Sequence, residues 1–310
     1  RNMMQLKGHI SGAKLDLFLQ RLFDGLTNGS TYALMAVAMV LIYKATTLIN
    51  FAQGEQALLG AFVVLQLWNW GLPMWVAVII GMIFSAFLAA LLERTFIRRF
   101  DPADHLPLVI ITLGLFLVLN AIAAVVWRYD PLSFPQLFPH GSALTVGNAR
   151  LSWYSIFAFG SCILVLFLLH ILLTRTKIGL AFRAVSSNLE SSRLCGIKVG
   201  STLQFGWALA AAAGTLGASI YAANPVLQIE PSIMLRALIF SITAAALGGL
   251  DSLWGALVGG LTIGFVQSVL VQYIPFIPNE MTLTTTVIVL LVVLTLRPSG
   301  FLGTKSVERV

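Results

Sequence analysis

In the stretch TLINFAQGEQALLGAF, residues 47 to 62, the polar side chains Asn50, Gln53, Glu55 and Gln56 interrupt an otherwise apolar run. Amide side chains supply donors and acceptors where a membrane helix is broken, and Gly54 permits such a break. Glu55 is costly in hydrocarbon, so a carboxylate there signals a functional site. A cytoplasmic or interfacial turn whose polar groups meet water would use the same residues. Asn28 and Ser30 stand a short apolar stretch upstream. A second acid, Asp251, lies in AAALGGLDSLWGALVGGLTIGF, residues 244 to 265, again between glycine-broken apolar pieces. Paired glycine-interrupted segments in two halves of a membrane protein point to a transport site at a repeat interface. The Gly255-xxx-Gly259 and Gly260-xxx-Gly264 spacings let helices approach closely, more simply within one chain than between two.

The elements that carry these residues must be membrane helices. The chain is 58% hydrophobic and only 10% charged over 310 residues, too little charge to cover a soluble surface. A net charge of +7, spread over loops with no basic run interleaved with aromatics, suits cytoplasmic loops facing anionic lipid and not nucleic acid. Cys162 and Cys195 form no ligand or disulfide spacing, and His9, His105, His140 and His170 are scattered, His170 reading as a packed residue. No metal site or catalytic constellation is therefore expected. The opening RNMMQLKGHISGAKLDLFLQ has no apolar core of a signal peptide.

A spanning helix needs roughly 20 apolar residues. Eight segments qualify, at about 28–49, 72–93, 106–127, 152–174, 202–222, 233–250, 253–273 and 280–296, with an extra apolar piece at about 51–70. The basic clusters Arg94, Arg98, Arg99 and Arg175 to Lys198 read as cytoplasmic, as does the tail RPSGFLGTKSVERV. The link from Tyr129 to Asn148, with Pro131, Pro135 and Pro139 and no lysine or arginine, reads as external, and so does YIPFIPNE. Two crossings by 28–49 and 51–70 would put the basic N-terminus outside. The expectation is therefore an all-α polytopic membrane protein, one domain over 1–310. It has about eight transmembrane helices, a broken or re-entrant segment near residues 44–70, and both termini cytoplasmic. Lys44 fits this arrangement least well, since it falls near the outer end of the first span.

Between spans four and five runs TRTKIGLAFRAVSSNLESSRLCGIKVG, a loop of about 175–199. Ser187 or Asn188 is a fitting N-cap for a short helix through Glu190 and Arg193, and Gly196 a natural residue just past its end. A capped helix at the membrane surface suits a soluble docking partner better than a plain positive-inside loop.

GLTNGSTYALMAVAMVLIYKATTLINFAQGEQALLGAF resembles the opening of the branched-chain amino-acid permease family of ATP-binding-cassette importers, where Gly-S-x-YAL and INFAxGE recur. TKIGLAFRAVSSNLESSRLCGI is similar to that family's ATPase-contacting loop, with Ser191 and Ser192 where alanines are usual. LGGLDSLWGALVGG and LRPSGFLG also fit, so four segments match in order from about residue 22 to 303, closer to LivH-type than LivM-type subunits. The resemblance implies a permease subunit in a bacterial inner membrane, importing branched-chain or related small amino acids. It implies a second homologous LivM-type permease, two cytoplasmic ATPases holding ATP and magnesium, a periplasmic substrate-binding protein, and no cofactor on this chain. Arg175, Lys177, Gly179, Arg183, Glu190, Arg193 and Gly196 would then form the ATPase-coupling surface, and Asn28, Ser30, Asn50, Gln53, Glu55 and Asp251 would line or brace the substrate path. The chain has no phosphate-binding P-loop pattern and would not hydrolyse ATP itself. Gln53 stands where histidine is commonest and Lys44 where glycine is frequent, which leaves other amino acids, amides, urea or aromatic acids open as substrates. An ion-coupled secondary transporter with Glu55 and Asp251 as carriers is the competing reading, and it gives the capped loop no purpose.

Overall fold

Helix α1, Asn2–Thr46, is the axis around which the chain is arranged. The computed structural model describes residues 2–100, 105–139, 141–224, 228–273, 281–297 and 299–303. The YIPFIPNE link after Tyr273 and the end of the tail lie outside them. Among the described residues follow α2 (Gln53–Asn69), α3 (Met74–Thr95), α4 (His105–Trp127), α5 (Trp153–Arg175), α6 (Lys177–Ser187) and α7 (Leu189–Leu194). Then come α8 (Val199–Ala222), α9 (Ile233–Gly248), α10 (Leu253–Tyr273) and α11 (Thr282–Leu296). All eight expected segments are helical, and α2 is the extra apolar piece. The protein is a polytopic all-α membrane protein.

Burial separates the helices by role. In α1 89% of the most apolar window from Leu15 to Thr46 is buried, against 22% for α4. The outer helices α3, α4 and α5 present Ile83, Phe87, Leu117 and Phe167 outward, as lipid-facing surfaces do. The inner seams are made by small residues. A side chain on Gly264 of α10 would lie 2.3 Å from the Gly29 backbone nitrogen of α1, and one on Gly259 would lie 2.0 Å from the Ala244 carbonyl oxygen of α9. The two glycine pairs of α10 thus face different neighbours inside one chain. Backbone approach of this kind lets dispersion forces and weak contacts hold helices together where hydrocarbon offers no hydrophobic drive.

Contact register gives the direction of each helix. Asn224, just past α8, donates to Asn28 of α1 (3.2 Å), while Leu48, just past α1, shares a cavity with Leu203 of α8. These helices are antiparallel. Helix α3 runs against α8 as well: Thr215 Oγ1 donates to Ser85 Oγ (2.6 Å), Gln204 Nε2 to the Ala90 carbonyl (3.0 Å), and Arg98 to the Gly200 carbonyl (2.8 Å). Gly81 of α3 abuts Val64 and Gly60, so α2 is the other leg of a hairpin with α3.

Two short antiparallel ribbons lie at one end of the bundle. Leu132–Ser133 (β1) pairs with Gln228–Ile229 (β4), and Ser142–Val146 (β2) turns at Gly147, φ 62°, onto Ala149–Ser152 (β3). The β2–β3 hairpin is clamped to α1, because Asp16 Oδ2 accepts from the Asn148 amide (3.1 Å) and Gln20 Oε1 from the Arg150 amide (2.8 Å). Ser152 caps α5 by accepting from the Ser155 amide (3.1 Å).

This clamp corrects the expectation that both termini share a side. The N-terminal part of α1 sits with the 129–148 link, at the end opposite the α6–α7 loop. Residues 299–303 return to the α9–α10 turn, where Phe301 N donates to Leu247 O (2.8 Å). That turn lies toward the C-terminal half of α1, because α10 runs antiparallel to it. The physical reason is α2: its 17 residues, about 25 Å of helix, run away from the break. They do not return to the side they came from. Lys44 accordingly lies at the α6–α7 end, where a cation suits a positive-inside arrangement.

A labelling experiment checks this arrangement. In a Cys195→Ser background, Leu15→Cys and Leu144→Cys should react with an impermeant maleimide from one face of the membrane, and native Cys195 from the other. Labelling of residues 15 and 195 from the same face would refute it.

Candidate functional site

The break between α1 and α2 satisfies its own polar groups. Thr46 Oγ1 donates back to Ile42 O (2.9 Å) and accepts from Leu48 N (3.3 Å). Asn50 Oδ1 accepts from Ala52 N (3.0 Å), and Gln53 Nε2 donates to the Ala210 carbonyl of α8 (3.0 Å). Thr47 holds φ 55°, a left-handed conformation that a β-branched residue adopts only when its surroundings enforce it. Asn50 and Gln53 are fully employed in this bracing. They close the turn and do not line the large cavity described below.

Glu55 belongs to a different junction. Its Oε2 accepts from Asn120 Nδ2 of α4 (3.1 Å), and the same amide nitrogen donates to the Pro231 carbonyl (2.9 Å) just before α9. One half-buried amide thus ties α2, α4 and the 228–232 segment together. Glu55 Oε1 and both polar atoms of Gln56 are buried with no protein partner among the described residues.

A cavity of about 1200 Å³ opens at the end of the bundle that carries the ribbons. It lies among α1, α5, α8, α9 and α10. Asn28 lines it, bonded to Asn224, as do Tyr32, Tyr221, Arg236 and Glu230. Tyr32 donates to Gln267 Oε1 (3.0 Å), and its ring lies 6.1 Å from Tyr221 and 5.0 Å from Phe240. Arg21 and Asp24 pair at 3.3 Å on the wall, while Arg236 makes no ion pair among the described residues. The cavity therefore combines an aromatic wall, amides, and charges of both signs.

Of the residues picked out in the sequence as substrate-path candidates, Asn28 reaches this cavity. Ser30 is buried and donates to its own helix at Leu26 O (2.6 Å). Asp251 stands in the α9–α10 turn near Gly303, away from it. Arg236 was missed, although a lone arginine in the apolar run IMLRALIF meets the criterion applied to Glu55. Tyr221 and Gln267 gave no signal, since each is ordinary within its own helix.

The opposite end presents α6 and α7. Thr176 caps α6 by accepting from Gly179 N (3.0 Å), and Asn188 caps α7 by accepting from Ser191 N (2.8 Å). Gly196, φ 78°, ends the turn as the sequence suggested. Gly179 lies so close to α5 that a side chain would strike the Leu172 carbonyl at 2.2 Å, and Phe182 and Val185 are buried. With its inner face anchored, the loop exposes Arg175, Lys177, Arg183, Glu190 and Arg193, together with Ile178, Leu180 and Leu194. Leu194 is 90% exposed, unusual for a leucine beside so many charges.

A family model described as branched-chain amino acid transport system / permease component matches residues 21–294. The high-affinity branched-chain amino acid transport system permease protein LivH of Escherichia coli K12 is 30% identical, covering 94% of this chain and 98% of its own. The corresponding BraD of Pseudomonas aeruginosa is 29% identical with the same coverage. Among solved structures, a chain of PsaBC from Streptococcus pneumoniae in complex with Fab covers 95% of this chain and 97% of its own, at 13% identity and TM-score 0.46.

The Asn120 junction can be tested by stability. Asn120→Leu strands a buried carboxyl oxygen and a proline carbonyl, and should cost about 3 kcal/mol. Glu55→Gln keeps an acceptor there and should cost under about 1 kcal/mol. Thermal unfolding in detergent separates the two, and equal melting temperatures for both variants would remove Asn120 from this role.

Proposed function

The chain belongs to the family of branched-chain amino acid transport system permease components, and on that premise we propose that it forms one half of the membrane channel of an ATP-driven bacterial importer. Its cargo is a branched-chain or related small amino acid. The observation that carries this reading is the exposed apolar and basic face of α6–α7, set at the far end of the bundle from the polar cavity. A soluble ATPase pair docks on the first, and substrate delivered by a periplasmic binding protein enters the second. The positive-inside bias supports α6–α7 as the cytoplasmic end. The N-terminal part of α1 is then periplasmic, in the inner membrane.

Each end has a defined task. Leu194, Ile178 and Leu180 give the docking surface buried area, while Arg175, Lys177, Arg183 and Arg193 set its charge complementarity. Asn188, Gly196 and Gly179 hold that surface rigidly on α5 and α8. ATP and magnesium reside on the partner subunits, and a second homologous permease completes the path. In the cavity, Arg236 faces the substrate carboxylate, Glu230 and Asp24 favour its ammonium, and the Tyr32–Tyr221 wall, backed by Phe240, takes an apolar side chain. A zwitterion with a hydrocarbon body needs such a mixed surface. Release follows when ATPase closure is transmitted through α6 to α5 and α8.

Pull-down of the intact chain from native membranes tests the proposal. Wild type should recover an ATPase pair and a second permease, and Leu194→Glu or Glu190→Lys should lose the ATPases while keeping normal membrane levels. A lone chain that transports in liposomes without ATP would overturn it. For the cavity, Arg236→Leu should lower amino-acid uptake at least tenfold and leave ATPase recovery intact, since the desolvated anion loses its cationic partner.

A further inference from the structure

A second cavity, of about 380 Å³, lies where the α6–α7 link meets the bundle. Its walls are the end of α1 at Leu48, the 3₁₀ turn at Ile97, and Leu203 of α8. That volume falls in the range that small-molecule sites occupy. Two polar atoms on its lining residues have no protein partner among the described residues: the indole Nε1 of Trp207, a fully buried side chain, and the hydroxyl of Ser186. An indole N–H can only donate, so it calls for an acceptor. Nearby charge is otherwise committed. Arg98 binds both carboxyl oxygens of Glu93 (3.2 and 2.6 Å), the Gly200 carbonyl, and Gln204 Oε1 (3.0 Å). At the rim stand one acid and one base of α7, Glu190 and Arg193.

We propose that this cavity binds a small carboxylate with a short apolar body, held between α1, the α6–α7 link and α8. The carboxylate oxygens accept from Trp207 Nε1 and Ser186 Oγ, and the hydrocarbon rests on Leu48, Ile97 and Leu203. Two sources share this chemistry: an apolar amino acid on the cytoplasmic side, whose ammonium would meet Glu190, and a membrane-derived acyl carboxylate. Occupancy joins the α6–α7 link to the end of α1, so it restrains motion of the loop against the bundle. The binding itself does not rest on the importer reading. Only that consequence does.

The test is equilibrium dialysis of the full-length chain in nanodiscs with three probes of one branched skeleton: L-leucine, 4-methylpentanoate and 3-methylbutylamine. One or both carboxylates should bind saturably and the amine should not. Ser186→Ala and Trp207→Phe should each weaken that binding at least tenfold, and Leu203→Trp should abolish it by filling the space. The same measurements in an Arg236→Ala background, which removes the cationic partner in the distant cavity, should still show saturable carboxylate binding that Ser186→Ala and Trp207→Phe weaken, and so keep the two sites distinguishable. Binding of leucine alone identifies the amino-acid source, and binding of 4-methylpentanoate as well identifies the acyl source. No carboxylate binding, equal binding of the amine, or binding lost with Arg236→Ala but kept in Ser186→Ala and Trp207→Phe would each overturn the site.

Discussion

Backbone groups inside a bilayer must find partners within the protein, and the turn at residues 47–52 is where this chain meets that constraint most severely. An apolar stretch running from α1 through α2 could have formed one overlong helix. Instead Thr46, Asn50 and Gln53 take up the amides and carbonyls that a reversal leaves open, and Gln53 fixes the result to α8. Because the reversal is internally satisfied, α2 can run back along the bundle as a full leg. That single leg sets the side of the N-terminus. It also delivers Glu55 to Asn120 and brings Leu48 to the wall of the cavity beneath the α6–α7 link.

Helix α1 can be the shared wall of both cavities only because its neighbours come close. Small residues on α10 and α8 admit it to near backbone contact, so it is buried through its apolar window. Its two ends then serve different chemistry. Asn28 and Tyr32 face a polar cavity beneath the ribbons, and residues 45–48 face the second cavity at the other end. A rigid buried helix that touches both sites is a direct mechanical link between them.

The polar groups divide into those that hold the fold and those left exposed to do something else. Asn50, Gln53 and Ser30 have their hydrogen bonds completed by the chain itself. Arg236 and the exposed face of α6–α7 are not completed in this way, and these are where function is assigned. Residue type alone could not separate the two groups, since a buried amide reads alike whether it braces a turn or lines a path.

The sequence by itself determined the class, the apolar segments that become helices, the capped loop with Gly196, and the family, because each rests on local composition or on contiguous motifs. Hydrocarbon length, cap chemistry and glycine at positive φ all act over a few residues. Only the tertiary structure decided that α2 is a returning leg, that the N-terminus lies opposite the α6–α7 loop, and that Asp251 stands apart from Asn28. It also decided that Arg236, Tyr221 and Gln267 share one wall with Tyr32. Those facts depend on which helix faces meet, and facing is set by side-chain packing between residues some 200 positions apart, which no local pattern encodes.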